Sequence, residues 1–98
     1  MLGLSIGIEE VSVIRSEVKS EEEKLRSMIL KVTNNENYIN AIINSGVEIK
    51  DIIKYISGST YCDAIFINDK IQSSLMETGL NEKESGRLIV NLIKANAN

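Results

Sequence analysis

The chain has 98 residues, which fits one domain, expected to span residues 1–98. Its formal net charge is −3, from 14 acidic and 11 basic residues spread along the whole length, with no basic run to capture a polyanion at long range. Histidine, tryptophan and proline are absent and there is a single cysteine. That removes the commonest general base and pH switch, the usual structural zinc sites and any intramolecular disulfide.

Apolar residues make up 43% of the chain, and sixteen of them are isoleucine. Only Tyr38, Tyr55, Tyr61 and Phe66 are aromatic, so the expected core is aliphatic and stacking platforms for bases or sugars are scarce. No apolar run approaches the ~20 residues of a membrane span, and Gly3, Ser5 and Gly7 interrupt the pattern a signal peptide would need. A soluble, cytoplasmic protein is the expectation.

At the N-terminus Leu2, Leu4, Ile6 and Ile8 alternate with small residues, which reads as a strand or extended arm over residues 1–8. A competing pattern places Leu4, Val11, Ile14, Val18, Leu25, Met28 and Val32 on a heptad seam, with Gly7 and Glu21 as exceptions. On that reading one helix runs from about residue 9 to residue 33. Ser20-Glu21-Glu22-Glu23 has the form of a capping box and argues for a later start. Both readings make residues 21 to 32 helical.

A second box-like signal, Thr33 to Glu36, precedes a helix over Tyr38 to Asn44, which Ser45-Gly46 ends. Residues 48 to 57 resume helix, with Ile49, Ile52, Ile53 and Ile56 on one face, closed by Ser57-Gly58-Ser59. Residues 61 to 72 carry two patterns. Ala64 to Ile67, a turn-forming Asn68-Asp69-Lys70 and Ile71 suit a hairpin, whereas Ile67, Ile71 and Leu75 stand at helical spacing. After Gly79, Asn81 with Glu84 signals the start of a last helix whose buried face is Leu88, Ile89, Leu92 and Ile93. The fold class is therefore mostly α, a compact bundle of four or five short helices. A short N-terminal strand and a small hairpin are its optional additions, giving α+β as the alternative.

Chemistry-bearing residues are few. Cys62 is read as a buried structural cysteine, and the acidic pairs and clusters as solvated helix starts. No phosphate-cradling glycine loop or spaced calcium loop is present. No catalytic, cofactor or metal site is expected. Two partial helix–turn–helix patterns run from Ala41 to Tyr55 and from Ser74 to Leu88. Ile42 departs from the first, where a small residue belongs at the helix crossing. Leu75 and Ser85 depart from the second, one too large and the other too polar. The second offers Lys83, Arg87 and Asn91 as DNA-contacting groups against Glu82 and Glu84, and is favoured because Arg87 and Asn91 lie one turn apart on a capped helix.

The leading expectation is a non-enzymatic interaction or regulatory protein acting through protein–protein binding or self-assembly. Its homo-oligomer interface is expected at Leu2, Leu4, Ile6, Ile8, Val11, Ile14 and Val18, because an unpaired strand and a heptad seam both invite a second chain. The alternative is a small dimeric helix–turn–helix DNA-binding regulator using residues 71 to 93.

Overall fold

Four helices are complete, and a fifth precedes them, in a computed structural model that describes residues 20–97. The described part of the first, α1, covers residues 20–30. It is followed by α2 (Glu36–Ile43), α3 (Ile49–Ile56), α4 (Ala64–Glu77) and α5 (Glu82–Asn96). No strand occurs among the described residues. No helix among them is long and apolar enough to cross a membrane. The mostly α bundle is thus the observed architecture. The strand or arm assigned to residues 1–8, and the interface residues up to Val18, lie outside the described residues.

Local chemistry sets most helix starts. Ser20 is already helical, so it does not cap α1, contrary to the box read at that position. Asn35, not Thr33, caps α2: its Oδ1 accepts from the Asn37 and Tyr38 amides (2.9 and 3.4 Å). Thr33 acts one step earlier, its Oγ1 accepting from the Asn35 amide (3.2 Å). Asp63 caps α4 by accepting from the Phe66 amide (3.2 Å). At α5 the box is complete, since Asn81 Oδ1 accepts from the Glu84 amide (2.7 Å) and Glu84 Oε1 from the Asn81 amide (3.2 Å). Two orphan amide donors are satisfied reciprocally there. Of α2 to α5, α3 alone begins without a side-chain cap; the Glu48 carbonyl receives its first turn.

The hairpin reading of residues 61 to 72 is overturned. In a strand Ile65 and Ile67 would share a face, yet Ile65 is 86% exposed and Ile67 is 2% exposed. Helical spacing accounts for the burial: Ile67, Ile71 and Leu75 all enter the core. Asn68-Asp69-Lys70, which suggested a turn, is the middle of α4. Asn68 Oδ1 accepts there from the Tyr55 hydroxyl (3.0 Å), tying α3 to α4.

The core is aliphatic. Leu25, Ile29, Ile39, Ile42, Ile52, Ile56, Ile71, Leu75 and Leu92 are fully buried, drawing on all five helices. Burying such a side chain stabilises by roughly 1.5–3 kcal/mol. In the described part of the heptad seam, Leu25 and Met28 are buried in this core and Val32 packs on its margin. That stretch therefore serves the chain's own interior.

Among α2 to α5 the principal packing pairs are α4 with α5, α2 with α4, and α3 with both α4 and α5. Ser74 Oγ donates to the Ala41 carbonyl (2.6 Å) across the α2–α4 contact. Arg26 Nη1 bridges the Glu36 carboxylate (2.9 and 3.1 Å), linking α1 to the start of α2.

Candidate functional site

The second helix–turn–helix pattern is a real helical pair in the structure. Helix α4 ends at Glu77, and Thr78, Gly79, Leu80 and Asn81 lead into α5. Gly79 has φ 113°, a backbone region that an L side chain adopts only with strain. A Cβ there would meet nothing within 4 Å, so the requirement for glycine is one of backbone conformation alone. Leu80, immediately after it, packs on the core.

The two residues that departed from the motif are both accommodated. Leu75 is fully buried on α4. Ser85 is also fully buried, and its hydroxyl donates back to the Glu82 carbonyl (3.0 Å), so burial leaves no orphaned polar atom. Gln72 Nε2 reaches the same carbonyl from α4 (3.0 Å). Ser85 and Gly86 are small where α4 comes close, a Cβ on Gly86 lying 3.7 Å from Gln72 Nε2. The first pattern fares differently. Its helices α2 and α3 are not a principal packing pair; each packs on α4 instead.

Lys83, Arg87 and Asn91 are all exposed on α5, four residues apart, and so stand in one row. The buried side of the same helix is Ser85, Ile89, Leu92 and Asn96. At 3.6 residues per turn, Val90 and Lys94 join the exposed row, and the five residues fill a stripe roughly 100° wide opposite the buried side. Val90 is 48% exposed and Lys94 is exposed. Sequence reasoning missed both, although the spacing of Leu88, Ile89, Leu92 and Ile93 already fixed the inward direction. Among the described residues the one ion pair is Arg26 with Glu36, so the three cations of the stripe are unpaired there.

A second exposed feature lies at the other end of α4. Tyr61 is 88% exposed, Ile65 is 86% exposed and Phe66 is 48% exposed. The Lys70 ammonium sits 5.7 Å from the centre of the Phe66 ring, one turn along the helix. These residues escaped the sequence reading because a stretch that suited both hairpin and helix left its exposed face undefined. The interface residues read from sequence, Leu2, Leu4, Ile6, Ile8, Val11, Ile14 and Val18, cannot be brought to this surface or any other, since they lie outside the described residues.

Cys62 is half-buried, and its thiol points to the Ser59 carbonyl (3.4 Å). The Tyr55 hydroxyl is held above its ordinary pKa, first by burial and second by the charge Cys62 would carry as a thiolate. Two shallow concavities of about 240 and 420 Å³ flank α2 and share Asn40 and Asn44. Among the described residues no group of three or more His, Cys, Asp or Glu side chains is placed to hold a metal ion. No protein family, curated protein or solved structure matches the chain.

Proposed function

We propose that this is a non-enzymatic interaction protein that acts by binding protein, with a second copy of its own chain as the first partner to consider. The observation that carries this reading is the nearly complete exposure of Tyr61 and Ile65, with Phe66 beside them. Large apolar side chains left in water at one place are the raw material of an interface, and aromatic residues dominate interface energetics. Sedimentation velocity across a range of protein concentrations tests it. The expected result is a mass above the 10.9 kDa of one chain that Ile65→Asp lowers. A single-chain mass at every concentration would sink self-assembly. Deleting residues 1–8 in the same experiment separates an N-terminal contribution, since a strand-pairing interface there would also lose mass.

A second reading, a small DNA-binding regulator using residues 71–93, is favoured by one specific observation. Lys83, Arg87 and Asn91 share an outward row on the second helix of the α4–α5 pair. Fluorescence anisotropy with a short mixed-sequence duplex, titrated with salt, tests it. Binding that weakens steeply with salt supports the reading, because phosphate contacts release counterions. Absence of binding at the lowest salt removes it.

A further inference from the structure

We infer that the DNA-contacting surface is the whole outward stripe of α5, with Lys83, Arg87 and Lys94 along its middle neutralising phosphates and Val90 and Asn91 on its two edges. The inference rests on the DNA-binding reading and extends it in two ways. It adds Lys94 and Val90, and it carries the contact from the first turn, where Lys83 stands, through the body of the helix into its C-terminal half.

Three observations carry it. The stripe lies opposite Ser85, Ile89, Leu92 and Asn96, so the side chains that anchor α5 to the core leave this face free along its length. From residue 83 to residue 94 the row spans about 16 Å at 1.5 Å per residue, and a helix about 10–12 Å across fits a major groove about 12 Å wide. The stripe also contains no carboxylate. Glu84 at its edge is turned back into the capping box, where Oε1 accepts from the Asn81 amide. Val90, 48% exposed, is an apolar group at the edge of the charged row, and an apolar side chain there suits a thymine methyl.

Glu82 and Glu84 put two negative charges in the first turn. They disfavour the N-terminal end as the base-reading end, its usual role in such a helix, and leave Lys83 there for phosphate alone. The same charges leave the body of the helix, where Arg87, Asn91 and Lys94 stand, as the face a polyanion can approach. With three phosphate contacts on a chain of net charge −3, affinity is modest and falls as salt rises, because each contact releases a counterion.

The test is anisotropy of a fluorescein-labelled mixed-sequence duplex with the full chain and with Lys83→Ala, Arg87→Ala, Lys94→Ala and Lys70→Ala. Far-UV circular dichroism confirms that each variant folds. Three phosphate contacts give a slope of log affinity against log salt near about −3, and each stripe variant should reduce its magnitude by about one. Lys70→Ala, on α4, should leave it unchanged. A normal slope for Lys94→Ala beside reduced slopes for Lys83→Ala and Arg87→Ala would overturn the inference and leave the DNA-binding reading standing. No binding by the unaltered chain at the lowest salt would remove both.

Discussion

Tyr55 shows how one half-buried side chain couples this fold to pH. Its hydroxyl donates to Asn68 Oδ1, and burial followed by Cys62 raises its pKa from the ordinary value of 10.0. A folded-state pKa above the unfolded one means that the folded chain holds the phenol proton more tightly. The resulting stability is fully present below about pH 10 and is lost as pH rises through the folded value. Unfolding in urea should therefore show stability falling in the alkaline range, and Tyr55→Phe should flatten that fall. Tyrosinate absorbance, followed with pH in both proteins, isolates Tyr55 from Tyr38 and Tyr61. An unchanged alkaline limb in Tyr55→Phe would place the effect elsewhere.

At the scale of the helix, capping decides where each element begins, and the sequence announces caps unevenly. Asn81 with Glu84 was legible because both halves of the box are close in sequence and both bonds form. Asn35 was not singled out because Thr33 two residues earlier offers the same chemistry, and only the backbone geometry selects between them. Asn81→Ala removes the acceptor for the Glu84 amide and should cost about 1 kcal/mol, read from the urea midpoint. Its effect should exceed that of removing the exposed Arg26–Glu36 pair, because exposed ion pairs are screened and contribute about 0–1 kcal/mol. The same uneven legibility applies to α4. A run of Ala, Ile, Phe and Ile before three turn-forming residues suits two structures, and burial of Ile67, Ile71 and Leu75 on one side decides for helix.

Across the whole molecule, the two ends of the described chain are joined by one buried amide. Asn96, 7% exposed at the end of α5, donates from Nδ2 to the Met28 carbonyl (3.1 Å) and to the Leu92 carbonyl (2.9 Å). Near the end of α1 the Val32 amide turns to the Ile29 carbonyl (3.0 Å), and Asn96 supplies a donor to Met28 one residue earlier. A side chain 68 residues away thus helps to finish α1. Its Oδ1 is buried without a protein partner among the described residues. Asn96→Leu keeps the volume and removes the donor, and should destabilise by about 1–3 kcal/mol because the Met28 carbonyl loses a partner in a buried place. Neutral or increased stability in urea unfolding would show that relieving Oδ1 outweighs that loss.

The sequence by itself determined the helical class, the aliphatic core and most helix faces, because helical periodicity and Asn or Gly punctuation are local signals. Ile39, Ile42, Ile52, Ile56, Ile89 and Leu92 all followed from spacing alone, and all are buried. What surrounds each helix is not local, and only the tertiary structure decided it. Ser85 looked unfit for a core and is fully buried, because its hydroxyl is satisfied within its own turn and its small size suits a close α4. Ile65 and Phe66 belong to a stretch that suited a hairpin as well as a helix, and they stand exposed because Ile67, Ile71 and Leu75 set the buried side of α4. The candidate DNA row divides in the same way. Lys83, Arg87 and Asn91 could be picked from spacing, and the same spacing implied Val90 and Lys94; only the packing of α5 on α3 and α4 decided that the whole row stays exposed.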